Sequence, residues 1–244
     1  MESKVNLRSS LFGNYCFGMY TKRHIQLFND LYAIEEQIPP FQKNLMRYGT
    51  THEKHGVAEF INWFGQMPEN ILSEQLNLIV PVSDDVSLSS TPDGFCMDGN
   101  ALVEVKCTKI KKQTKPKFDA RWLPQVFGQM LVVNDYYKAN KIDKKIDKTF
   151  LVNWAEKDTK IYMVQRNDDA IHMIKELLMN YGQTFNKMSN VAKNLPDLID
   201  LEDNQKNELL NSIQKDLKTN DEVQHQIMEQ ALENSVKLVY EASI

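Results

Sequence analysis

Residues 91–107 read TPDGFCMDGNALVEVKC, and this stretch decides how the rest of the chain is read. Asp98-Gly99-Asn100 is a turn signal between two short apolar arms, so a β-hairpin is predicted. Side chains alternate along a strand, so Glu104 and Lys106 share a face with Leu102, while Val103 and Val105 take the other. Asp93 lies in the facing arm, close enough across the turn to join the charged face. Two carboxylates and an ammonium converging inside a sheet are costly unless something compensates them. A lone Glu-x-Lys on a strand reads as an edge salt bridge. A Pro-Asp at hairpin distance before it favours a divalent cation instead. An oxygen-only donor set suits Mg2+, with Mn2+ as a substitute, and such ions bind substrate phosphates. The parts suit phosphodiester hydrolysis: the ion offsets charge on the scissile phosphate, and Lys106 holds or deprotonates the attacking water.

Working outward, 244 residues make one large domain, or a domain with an extension. A composition of 42% hydrophobic and 25% charged residues is that of a globular chain with a real core. No apolar run approaches the ~20 residues of a membrane span, and the first residues lack the apolar region of a signal peptide. Three cysteines, Cys16, Cys96 and Cys107, include no CxxC pair, which argues against a disulfide framework or a structural zinc site. An intracellular, reducing location is expected. The net charge of −4 is unevenly spread. Residues 191–244 hold 5 Lys against 11 Asp and Glu, whereas residues 106–121 hold seven basic residues against Asp119 alone. The second segment is a local basic patch, read either as a nucleic-acid contact or as a solvated lysine-rich loop.

Helical spacing marks residues 21–37. A short helix follows the Pro39-Pro40 break and ends at Gly49, and a further helix over 51–67, capped by Thr50 or Thr51, carries Val57, Phe60, Ile61 and Phe64. Glu53 falls on that apolar face. Strands are predicted around 76–83 and 86–95, then over 101–107. Next come a helix over 121–139 with Pro124 in its first turn, a hairpin around Lys157-Asp158, and a helix from Asp168. The tail predicts two amphipathic helices, one through Leu209, Leu210, Ile213 and Leu217, the other through Val223, Ile227, Leu232 and Val239. The class is α/β, a mixed sheet flanked by helices. It divides into residues 1–190 and an acidic helical C-terminal extension, 191–244, packed on or appended to the core.

Pro92-Asp93 followed by Glu104-Val105-Lys106 resembles the PD-(D/E)XK nuclease signature, whose members have a restriction-endonuclease-like core. The wider stretch resembles the lambda exonuclease and YqaJ-type viral recombinase branch, with its Pro-Asp-Gly hairpin and Glu-x-Lys-Cys strand. Upstream, Gly49 and Glu53, four positions apart, match that branch's Gly and Glu ahead of an apolar helix. Downstream, Gln125-Val126-Phe127-Gly128-Gln129 matches its Gln-bearing helix, with Gln125 as the catalytic-site residue and Gln129 one turn on. Near the N-terminus, Ser10-Leu11-Phe12-Gly13 is in register with a Ser-x-Phe-Gly element. Lys4 then stands at the phosphate-binding Arg position, and Arg8 is the other candidate. Thr91 replaces a frequent Ser and still offers a hydroxyl to a phosphate.

The resemblance covers about residues 4–185 and implies Mg2+-dependent hydrolysis of DNA from duplex ends, 5′→3′. It makes Asp93, Glu104 and the Val105 carbonyl metal ligands, with Glu53 binding directly or through water. Lys106 and Gln125 position water and phosphate. Lys109, Lys111 and Lys112 track the DNA backbone, alongside Lys4, Arg8, Ser10, Thr91 and Gln129. Partners implied are double-stranded DNA ends and a single-strand annealing protein, and some relatives are ring-shaped homo-oligomers. Other readings are an endonuclease of the same superfamily, an RNA nuclease, and a non-catalytic DNA-binding scaffold. His52-Glu53-Lys54-His55 is one residue short of the zincin motif. Trp122, after the basic segment, is a candidate to stack on a DNA end.

Overall fold

The structure is a computed structural model that describes residues 5–17, 22–32, 40–70, 76–109, 118–192, 202–217, 230–231 and 234–243. Lys4, Lys111, Lys112, Val223, Ile227 and Leu232 lie outside the described residues. Two sheets carry the fold. The first has β1 (Val5–Arg8), β3 (Val86–Ser90) and β2 (Leu78–Pro81) in the order β1-β3-β2. The second has β4 (Gly94–Cys96), β5 (Ala101–Cys107), β6 (Lys148–Ala155), β7 (Asp158–Gln165) and β8 (Val236–Ser243) in sequence order. β1 runs parallel to β3 and β5 parallel to β6, so the sheets are mixed.

The alternation expected along β5 is observed, and it divides the core. Leu102 joins Leu88, Leu123, Met130 and Leu151 in one buried cluster, which lies against α1 (Phe12–Phe17), α2 (Arg23–Leu31), α4 (Leu123–Ala139) and α5 (Asp168–Ala192). Val103 and Val105 join Val57, Phe60, Val152 and Ile161 in the other, beneath α3 (Pro40–Phe64). Each such side chain contributes about 1.5–3 kcal/mol on burial, so β5 is anchored from both faces. The hairpin turn spans residues 97–100 rather than Asp98-Gly99-Asn100 alone. Met97, Asp98 and Gly99 all take positive φ, and the Tyr137 hydroxyl donates to the Gly99 carbonyl at 3.0 Å.

Three expectations change. α3 is one 25-residue helix that runs through Gly49, so that glycine is neither a stop nor a new start. The tail is not helical throughout: α6 (Asp203–Asp216) forms as read, with Leu209 and Ile213 buried, but residues 236–243 form β8. Its pairing with β7 shifts register between Ile161 and Tyr162, jumping from Tyr240 to Leu238 and leaving Val239 between them. A bulge of that kind breaks the two-residue alternation that marks a strand. Trp122 is half-buried and packs edge-on against Phe118 at 6.0 Å, as part of the core. Among the described residues no helix is long and apolar enough to cross a membrane.

Candidate active site

The site forms where the two sheets meet. β4 pairs only with Ala101–Val103, so beyond Val103 one edge of β5 is open. Asp93, just before β4, fills it: its Oδ2 accepts a hydrogen bond from the Val105 N–H at 2.7 Å. A strand residue's N–H and C=O share an edge, so the Val105 carbonyl faces the same opening. On the α4 side, Lys106 Nζ donates to Glu104 Oε1 at 2.6 Å and to Gln125 Oε1 at 2.9 Å. Gln125 Nε2 donates to the same Glu104 oxygen at 2.7 Å. Glu104 is only 3% exposed, against 25% for the Lys106 side chain, so the lysine lies at the open end of the network.

Glu53 approaches from α3. Gly56 brings that helix close: a methyl group there would stand 2.5 Å from Val105 Cγ1. His52 and His55 stack on the Trp154 ring at 5.5 and 5.3 Å and fasten this part of α3 to the end of β6. Both histidines therefore have packing roles on either side of Glu53, and His52 Nδ1 lies 2.7 Å from the Tyr48 carbonyl.

The electrostatics match an incomplete site. Burial first, then the Glu104 carboxylate, push the Asp93 carboxyl well above its ordinary range, against the pull of Lys106 and the Val105 N–H. The same two causes raise Glu53. Burial pulls the Lys106 ammonium pKa down, but Glu104 and Asp93 outweigh it and the net direction is up. Three carboxylates thus face one ammonium, an excess of negative charge that a divalent cation would offset. The donors, Asp93, Glu104, Glu53 and the Val105 carbonyl, are all oxygens and suit Mg2+ or Mn2+. They are not a preformed cage: among the described residues no trio of His, Cys, Asp or Glu is arranged to hold an ion. Lys106, Gln125 and Gln129 occupy the oxygens of Glu104 instead. Burial raises the Cys96 and Cys107 thiols to about 12, so both are neutral thiols.

A pocket of about 290 Å³ adjoins this network, lined by Asn6, Arg8, Ser9, Ser10, Asn77, Ser89, Ser90, Thr91 and Gln125. It gathers three residues expected to contact DNA, Arg8, Ser10 and Thr91, with Gln125 at the boundary. The sequence reading missed Asn6, Ser9, Asn77, Ser89 and Ser90. The hydroxyl-rich run Ser87–Thr91 was the available signal, but as a strand it reads only as half-buried. Ser90 Oγ is buried without a hydrogen-bond partner among the described residues. Lys109 is exposed, with its ammonium 5.7 Å from the Tyr48 ring centre. Gln129 differs from expectation. It is fully buried and donates to Glu104 Oε2 at 2.7 Å, so it stands behind the site rather than on a DNA-facing surface.

This architecture is the restriction-endonuclease-like α/β fold. The solved structures it resembles include LHK-Exo in complex with dAMP, with a TM-score of 0.52 and 16% identity over 78% of this chain and 94% of that one. A phage-related exonuclease from Haemophilus somnus 129PT matches with a TM-score of 0.55 and 10% identity over 78% and 97% of the two chains. No protein-family model matches the sequence, and no curated protein matches it.

Proposed function

We propose that this chain is a metal-dependent nuclease of the lambda-exonuclease and YqaJ kind, hydrolysing DNA phosphodiesters from duplex ends in the 5′→3′ direction. The observation that carries the reading is the convergence of Asp93, Glu104, Lys106 and Gln125 at the open edge of β5. The exonuclease neighbours, one of them bound to dAMP, support the same class. Asp93, Glu104 and the Val105 carbonyl, with Glu53, would hold Mg2+. When bound, the ion lowers the pKa of a water and offsets charge on the scissile phosphate.

The chain's own groups do the rest. Lys106 carries its ammonium to the exposed end of the network, where it orients the attacking water and meets charge developing on the phosphate. Gln125, accepting from Lys106 and donating to Glu104, keeps both at fixed distance. Arg8, Ser10 and Thr91 supply a guanidinium and two hydroxyls to a terminal phosphate in the adjoining pocket, and the unmatched Ser90 hydroxyl adds a donor. Exonuclease action is favoured over endonuclease action because that pocket abuts Gln125 itself. Lys109 continues the cationic track toward the DNA backbone.

The test is linear 5′-phosphorylated duplex DNA with Mg2+, with a closed circular duplex and RNA as competitors. Wild type degrades the linear DNA and leaves the circle intact, whereas Lys106→Ala loses the activity. Equal activity of the two proteins would remove Lys106 from the mechanism. Cutting of the circle would make the protein an endonuclease.

A further inference from the structure

Gln129, buried away from the DNA-facing role expected of it, has no part in the proposed function above, although it makes a short contact in the site. The Glu104 carboxylate is gripped at both ends. Oε1, the outer oxygen, receives Lys106 and Gln125. Oε2, the inner one, receives Gln129 Nε2 at 2.7 Å. Gln125 and Gln129 are one turn apart on α4, so a single helix face presents two amides to two oxygens of one carboxylate. On another face of the same turn, Gly128 lets α1 pack closely on α4: a methyl group there would meet the Phe12 ring.

The position is poorly suited to an amide otherwise. Gln129 is 0% exposed, and Phe127, Gly128, Met130 and Leu131 beside it are all buried. Its Oε1 has no hydrogen-bond partner among the described residues. A buried amide with an unmatched carbonyl destabilises a fold relative to an apolar side chain of the same volume. Packing alone therefore does not account for glutamine here, and the hydrogen bond to Glu104 does.

We propose that Gln129 is a positioning residue, resting on the nuclease reading: it fixes the rotation of the Glu104 carboxylate so that Oε1 alone faces the divalent cation and Lys106. Without it the carboxylate is held only through Oε1, by Lys106 and Gln125, and can turn about that end, so the cation site loses its defined geometry. Partners that orient a metal ligand are typically worth about 10–100-fold in metal affinity or activity.

The test is Gln129→Met, which keeps the volume and unbranched shape, with Mn2+ as the probe. Free Mn2+ measured by electron paramagnetic resonance gives the metal affinity, and steady-state digestion of 5′-phosphorylated duplex gives kcat and KM. The expected result is Mn2+ binding and kcat each weakened about 10–100-fold, with KM for DNA within about twofold of wild type. Metal affinity and kcat both within about twofold of wild type would overturn the proposal, as would a rise in KM alone, which marks a DNA contact. If Gln129→Met does not fold, the side-chain amide resonances of Gln129 in the wild-type protein carry the test. They shift on Mg2+ addition if Gln129 holds the metal ligand, and stay fixed if it does not. If the wild type neither binds Mn2+ nor cuts DNA, the nuclease reading itself fails. If it does both while Gln129→Met matches it, only the role of Gln129 fails.

Discussion

The two sides of Thr91-Pro92-Asp93 are built from opposite chemistry. Toward β5 the chain gathers carboxylates: Asp93 and Glu104, joined by Glu53 from α3, around one ammonium. Toward β1 and β3 it gathers Arg8 with the hydroxyls of Ser9, Ser10, Ser89, Ser90 and Thr91, and among the described residues no carboxylate lines that pocket. The first side carries more negative charge than its one ammonium balances, and the second presents a guanidinium and hydroxyls, that of Ser90 without a hydrogen-bond partner among the described residues. Under the proposed function, a phosphodiester chain with a divalent cation would complete both, the ion on one side and a terminal phosphate on the other. Gln125 belongs to both sides and sets the distance between them.

This division of labour is breakable. The largest effect falls on the acidic side: Lys106→Ala and Asp93→Asn each lower kcat by about 10²-fold or more, the scale of removing one group that meets transition-state charge. KM for DNA changes little, because the phosphate pocket is intact. Arg8→Ala is the complementary case. Loss of a charge-assisted phosphate contact of about 1.5–3 kcal/mol raises KM roughly 10–100-fold, with kcat nearly kept. It also erases any preference for 5′-phosphorylated over 5′-hydroxyl ends. If Arg8→Ala lowers kcat and Lys106→Ala raises KM, the two sides are not separate in function.

Gly56→Ala tests how α3 delivers Glu53. The added methyl meets Val105 Cγ1 at 2.5 Å, and overpacking of this kind costs about 1–3 kcal/mol. Thermal melting reads that loss, and a fall in activity beyond the loss of folded protein reads the displacement of Glu53.

How much of this was legible in the sequence follows from range. Glu104 and Lys106 sharing a face, with Val103 and Val105 opposed, needs only strand alternation. Asp93 facing them needs only the hairpin. Glu53 was readable as a carboxylate on an apolar helix face. The phosphate pocket was half legible: Arg8, Ser10 and Thr91 stood out, but Asn77 and Ser90 enter through the antiparallel pairing of β2 with β3, which no local pattern announces. Gln129 sat at the right spacing, yet only its burial shows which way it faces. β8 was misread because Val239 interrupts its alternation and the segment follows a helical run. Short apolar segments of that length do not distinguish helix from strand by spacing alone.

The smallest effect concerns stability without metal. Asp93 is raised by burial and by Glu104, so the folded protein holds that proton more tightly than the unfolded chain, whose carboxyl titrates near about 3.9. Its contribution is therefore full in acid and is lost as pH rises from that value through the raised folded one. Glu53, raised for the same reasons, acts in the same direction. Asp93→Asn removes the loss. The metal-free variant is expected to melt above wild type at neutral pH by roughly 2–4 °C per kcal/mol recovered, with the gap closing in acid. Mg2+ restores the wild type and not the variant. A variant that melts lower at neutral pH would mean that the carboxylates do not oppose one another.

The most direct measurement is a crystal of the protein soaked in Mn2+ and read by anomalous scattering. A peak bounded by Asp93, Glu104 and the Val105 carbonyl, absent from Asp93→Asn crystals, is the predicted result. A peak elsewhere, or none at millimolar Mn2+, would contradict a metal-dependent centre on the open edge of β5.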